Sequence, residues 1–147
     1  MTKKFEIDNE LFHDLVQYYS AAFNLPALAA KIYCYLFFDF KRTGVTFDEL
    51  MDIFQVSKSS VSTSLSLLLK LNLLKEYSKI GERKRNFVIN EDFAKFKFEK
   101  LISNLKEELS ILDRLQEFHG EKSERYLWYR EMVNKNIDIM ENSVSKL

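Results

Sequence analysis

A mainly α-helical fold with one small two-stranded β-hairpin is what this 147-residue chain predicts. Three observations point there. Only three glycines and one proline are present, too few for the many tight turns of a sandwich or barrel. Apolar residues recur at threes and fours over most of the length, which is the period of one helix face. The stretch that breaks this period, "LLKEYSKI", then "GERK", then "RNFVI", is short, aromatic and β-branched on both sides of a polar turn, as a hairpin with Gly81 at its tip would be. With 46% hydrophobic and 14% aromatic residues, the chain has ample material for a buried interior.

The first helix is expected from about Asp8 to Phe23, where Leu11, Phe12, Leu15, Val16, Tyr19 and Phe23 make one apolar face. Pro26 suits the first turn of the next helix, and "ALAAKIYCYLFF" is apolar nearly all round, as a central buried helix should be. In "VTFDELMDIF", Thr46 and Glu49 have capping-box spacing and Val45 and Leu50 stand as a hydrophobic staple, so a helix begins near Phe47. It is short, because Gln55 interrupts the apolar spacing and Ser57 supplies a new cap. Two helices joined by about three residues form a helix-turn-helix. After the hairpin, helix returns from Glu91, with Phe98, Ile102, Leu105, Leu109 and Leu112 on a seam, and ends at His119-Gly120. A last helix, about Lys122 to Val144, carries Tyr126, Tyr129, Val133, Ile137, Met140 and Val144 on one side. This long helical pair exceeds what so small a domain can cover and points to a partner chain. The domains expected are 1–24, an N-terminal helix, 25–90, the central domain, and 91–147, a C-terminal helical region.

No run reaches the roughly 18 to 20 apolar residues of a membrane span, and "MTKKFEIDNE" lacks a signal-peptide core, so a cytoplasmic location is expected. Cys34 is the sole cysteine and excludes an intrachain disulfide. Set in "KIYCYLFF", it is expected to be buried and inert rather than a redox sensor. The chain is neutral overall, but Ser57 to Arg85 holds seven basic residues against two acidic, a local +5 within that zero total.

The stretch "VSKSSVSTSLSLLLKLNLL" looks at first like a serine-rich linker. At about 100° per residue, however, Val61, Leu65, Leu68 and Leu69 share one arc, with Ser64 toward the same side. Ser59, Ser62, Thr63, Ser66 and Lys70 fall opposite. Short hydroxyls let a helix approach a DNA backbone closely and can hydrogen-bond phosphate or either kind of base pair. Arg83 and Lys84 on the hairpin turn are cations suited to phosphate or a minor groove. A solvated helix face and a solubilising turn would be the plain structural account of each feature alone.

Together, "KIYCYLFFD", "VTFDELMDIFQVSKSSVSTSLSLLLKLNLL" and the turn "GERK", spanning Lys31 to Lys84, resemble bacterial MarR-type winged-helix transcription regulators, and among them the GbsR-like subgroup. Asn72 stands where such proteins usually have glycine, and Cys34 where the subgroup tends to have glycine. The resemblance implies a winged helix-turn-helix with long N- and C-terminal dimerisation helices. It implies a homodimeric repressor whose recognition helices enter successive major grooves of a pseudo-palindromic operator, with half-sites about 10 bp apart. The residues expected at double-stranded DNA are Lys58, Ser59, Ser60, Ser62, Thr63 and Ser66 in the groove, Lys70 at the backbone, and Arg83 and Lys84 on the wing. It also implies a small-molecule effector, for which Tyr18, Tyr19, Tyr33, Tyr35, Trp128 and Tyr129 are candidates as an aromatic cage, against ordinary packing.

Other classes find less support. Gly44, Gly81 and Gly120 are isolated and cannot build a phosphate loop, and no histidine lies near the serines to activate one. His13 and His119 have no second ligand at helical spacing, so no metal, cofactor or catalytic residue is expected. A winged-helix module that binds protein instead of DNA is the main alternative; its outer face would carry aromatic anchors where this one carries hydroxyls and cations.

Overall fold

The computed structural model describes residues 4–147 and divides into two compact units, Met1–Asn90 and Glu91–Leu147. In the first unit the order is α1 (Asn9–Phe23), α2 (Ala27–Leu36), β1 (Val45–Thr46), α3 (Phe47–Phe54), α4 (Lys58–Lys70), β2 (Leu74–Ser78) and β3 (Arg85–Ile89). The second unit is a pair of helices, α5 (Phe93–His119) and α6 (Glu124–Val144).

Local chemistry sets the helix ends. The Asp8 carboxylate accepts from the Leu11 amide at 2.9 Å and starts α1. Pro26 is the N-cap of α2, one position earlier than the first-turn placement expected for it. Thr46 and Glu49 form the full capping box of α3, and the staple residues Val45 and Leu50 are both fully buried. Gln55, Val56 and Ser57 make the three-residue turn, with Gln55 in the left-handed region at φ 52°.

The core of the first unit forms around α2, which buries Ala29, Ala30 and the run Ile32 to Leu36. Against it lie α4, which buries Val61, Leu65 and Leu68, and β3, which buries Phe87 and Ile89; Leu50 and Ile53 of α3 are buried where that helix meets α4 and the sheet. By contrast α1 buries no residue fully, and it meets α2 through half-buried aromatic rings. Tyr19 stacks on Phe37 at 5.2 Å and meets Tyr33 edge-on at 5.3 Å.

The sheet differs from expectation. It has three antiparallel strands in the order β1-β3-β2, because Val45 and Thr46 pair with Phe87 and Asn86 on the outer side of the hairpin. The expected two-stranded wing is therefore anchored by a third, short strand. Its approach is fixed by Asp39, buried at 2% exposure, whose carboxylate accepts from the Thr43 amide and hydroxyl and from the Gly44 amide. Gly44 has φ 88°, and a Cβ there would lie 2.8 Å from Tyr77 Oη and 2.9 Å from Asn86 Cβ. Any other residue would be strained at that φ and would push on the Asn86 and Tyr77 side chains.

In the second unit Ile102, Leu109, Val133 and Ile137 form a small core, with Leu105, Tyr129, Met140 and Val144 packed on it. Phe98, placed on this seam from its spacing, is 38% exposed. Across the pair Arg130 makes a two-pronged bond to Asp113, at 3.0 Å for each nitrogen, and the Tyr126 hydroxyl donates to the same carboxylate. Lys106 and Glu141 form a further ion pair at 2.5 Å. Among the described residues, no helix is long and apolar enough to cross a membrane.

Candidate nucleic-acid interface

The α4 helix is two-faced. Val61, Ser64, Leu65 and Leu68 are buried, and Lys58, Ser59, Ser60, Ser62, Thr63, Ser66 and Lys70 are exposed. Leu69 is half-buried, and Leu71, on the flank, is 39% exposed. Ser57 begins the helix by accepting from the Ser60 amide at 3.3 Å, and its hydroxyl also meets those of Ser59 at 3.2 Å and Ser60 at 2.9 Å. Those two hydroxyls are thus partly engaged within the cap, while Ser62, Thr63 and Ser66 project from the middle of the exposed face. At the other end Asn72 takes the left-handed conformation at φ 61°, so asparagine serves where glycine is usual. Leu73 N–H then donates to Leu68 C=O, and Asn90 holds the Asn72 carbonyl at 2.8 Å.

The hairpin turn places its cations in solvent. Gly81 has φ 81°, Glu82 N–H closes the turn on Lys79 C=O at 3.0 Å, and Arg83 and Lys84 are exposed. A groove of about 310 Å³ runs between the start of α4, the start of α3 and the base of the wing. Lys58, Ser62, Lys84 and Arg85 line it, with Thr46 and Asp48 on the α3 side. The structure therefore brings Lys58, Ser62 and Lys84 together on one groove, while Ser66 and Lys70 lie further along α4 and Arg83 lies on the turn.

Arg85 lines this groove but was not among the residues singled out from sequence. It pairs with Glu76 at 2.9 Å, and its guanidinium lies 5.6 Å from the Phe87 ring centroid. The signal was present in the run "GERKR", whose last residue is the first of β3 and not of the turn.

The six aromatic candidates for a ligand cage divide between the two units, four in the first and two in the second. Tyr18 packs edge to face on Tyr19 and Tyr19 on Tyr33, and Phe37 packs on both Tyr19 and Tyr33, while Tyr18 stays 65% exposed. Tyr35 packs instead against Phe5 and Phe54, and Trp128 and Tyr129 belong to the second unit. Cys34 is fully buried, and that burial pushes its thiol up to about 12, well away from reactive thiolate. Among the described residues no group of three or more His, Cys, Asp or Glu side chains could hold a metal ion.

A crystal structure described as a transcriptional regulator overlays on 94% of this chain and 95% of its own, with a TM-score of 0.60 at 15% identity. The fold is a winged helix-turn-helix. In its terms α3 and α4 are the helix-turn-helix, with α4 its second helix, and β2 and β3 are the wing. The winged-helix chain is similar in sequence to the HTH-type transcriptional repressor GbsR of Bacillus subtilis, at 40% identity over 57 residues. That match covers 39% of this chain and spans about a third, 32%, of the relative's length. MepR of Staphylococcus aureus, a transcription regulator of a multidrug efflux pump, overlays more loosely, with a TM-score of 0.45 and 20% identity over 92% of this chain and 91% of that one. No protein-family model matches.

Proposed function

We propose that this winged-helix protein is a sequence-specific double-stranded DNA-binding repressor of transcription, acting as a homodimer on a pseudo-palindromic operator. One observation carries this. All nine residues picked from sequence for DNA contact are exposed, and three of them line a single groove where the recognition helix meets the wing. A hydroxyl face backed by a leucine core presents short polar side chains on a rigid element, which is what close approach to a major groove demands. The α4 N-terminus carries Lys58 and no acidic residue in its first turn, so its free amides and positive dipole end suit a phosphate.

Lys58, Ser59, Ser60, Ser62, Thr63 and Ser66 face the major groove and read base edges or contact phosphate, Lys70 holds the backbone at the far end of the helix, and Arg83 and Lys84 hold it from the wing. The half-exposed face of α1 and the partly covered α5 and α6 supply the dimer interface, and two-fold symmetry then spaces the half-sites about 10 bp apart. A small effector that shifts the dimer geometry would release the operator.

The test is a salt series on duplex fragments selected from genomic DNA. Neutralising 6 to 10 phosphates makes affinity fall by about a thousandfold or more between about 50 and 200 mM salt. Failure to bind any duplex at low salt would overturn DNA binding and favour a protein partner instead.

A further inference from the structure

The groove between recognition helix and wing contains a carboxylate. Asp48, in the first turn of α3, lies 3.7 Å from Lys84 Nζ, with both side chains well exposed, at 73% and 67%. Arg85 is paired too, with Glu76, but it is also held by the Phe87 ring and does not depend on its carboxylate alone. Lys84 has only Asp48 as a charged partner among the ion pairs of the described residues. A loose, water-exposed pair of this kind is worth little to stability. Its placement matters more, because the same ammonium is one of the cations offered to phosphate, and a phosphate that binds it competes with Asp48 and sits near its charge.

We propose that Asp48 is a built-in competitor for duplex phosphate, which holds Lys84 when no DNA is bound and lowers sequence-independent affinity without touching the hydroxyl face of α4. The inference rests on the groove facing DNA, as above. Its consequence is a gain in specificity. Every duplex presents phosphates, so a penalty on the phosphate contact weakens binding to all sequences, and only an operator that also engages Ser62, Thr63 and Ser66 offsets it.

The experiment compares wild type, Asp48→Asn and Asp52→Asn on random-sequence duplex DNA across a salt series. Asp52 lies one turn further along α3 and does not line the groove, so it makes the same change in net charge elsewhere. Asp48→Asn is expected to tighten random-duplex binding about two- to fivefold and to steepen the slope of log K against log salt by about 0.9, one more neutralised phosphate. In a Lys84→Gln background the gain should vanish. Equal effects of the two aspartate substitutions, or a gain that persists without Lys84, would overturn the inference. So would a loss of affinity in Asp48→Asn confined to a few sequences, since Asp48 would then be reading a base. Absence of binding by wild type and all variants at low salt would instead sink DNA binding itself.

Discussion

In the first unit Ile32, Leu36, Val45, Leu50, Val61, Leu68 and Phe87 lose all contact with solvent around α2. In the second, the hydrophobic residues that become buried are Ile102, Leu109, Tyr126, Val133 and Ile137, while Phe118 is 90% exposed and Trp128 and Ile139 each 64%. The first unit has a three-dimensional core of helices on a sheet; two helices meeting along one seam can cover only one side of each. The first unit therefore covers its own core from several sides, and the second leaves Phe118, Trp128 and Ile139 in solvent, the surface that the proposed second copy would cover.

The largest test of this contrast is Leu68→Ala. Leu68 is fully buried where α4 meets α2, and truncation should cost about 2–5 kcal/mol through lost burial and a residual cavity. Chemical denaturation followed by far-UV circular dichroism would measure it. A cost below about 1 kcal/mol would mean that the site collapses freely and that the first unit is not the rigid partner of the pair.

Dilution tests the other half. If the second unit is completed by another copy, a hundredfold dilution should lower its unfolding midpoint by several degrees, because association stabilises by mass action. Trp128, the sole tryptophan, lies in this unit and reports on it selectively. A midpoint independent of concentration would show that the helical pair stands without a partner.

Acid sharpens the comparison further. The Arg130 guanidinium and the Tyr126 hydroxyl bonded to Asp113 hold its carboxyl well below the usual carboxylate range, at about 2. The folded-state value lies below the unfolded one of about 4, so the clamp's stabilisation is complete above about pH 4 and fades as the pH falls toward about 2. Trp128 fluorescence should report loss of order in the second unit over that window, and Asp113→Asn should flatten the dependence while lowering stability at neutral pH. An unchanged acid profile in the variant would assign the transition to other carboxylates.

Much of this was legible before the structure, for identifiable reasons. The α3 capping box, the Ser57 cap and the two faces of α4 follow from short-range spacing, which one helix turn enforces. Asn72 as a left-handed end follows from side-chain chemistry. What was hidden depends on pairings distant in sequence. Nothing in "VT" marks β1 as a strand, since Val45 and Thr46 already serve as staple and cap, and their pairing with β3 needs the Asp39 anchor and the Gly44 bend. The groove was also hidden, because Asp48 and Lys84 lie far apart in the chain, although each of its cations was visible. The ring partners of the tyrosines were hidden for the same reason. Tyr33 and Tyr35 sit two apart on α2, which sends them to different sides of the helix.

The smallest effect on stability, and the most direct on function, belongs to the hydroxyl face. Ser62 and Thr63 are exposed on α4, and their hydroxyls have no hydrogen-bond partner among the described residues, unlike those of Ser59 and Ser60, which share the Ser57 cap. Alanine is the better helix former at a solvated position, so Ser62→Ala and Thr63→Ala should leave the unfolding free energy within about 0.5 kcal/mol, or raise it. On an operator each lost hydroxyl contact should cost about 0.5–1.5 kcal/mol, a loss of roughly two- to tenfold in affinity, with random duplex less affected. Ser64→Ala is the matching control: that hydroxyl is on the buried side at 8% exposure, so its removal should change packing and leave the operator contact intact. The opposite pattern, in which Ser62 and Thr63 matter to stability and not to DNA, would make the serine-rich face structural and turn the difference between the two sides of α4 into one of packing alone.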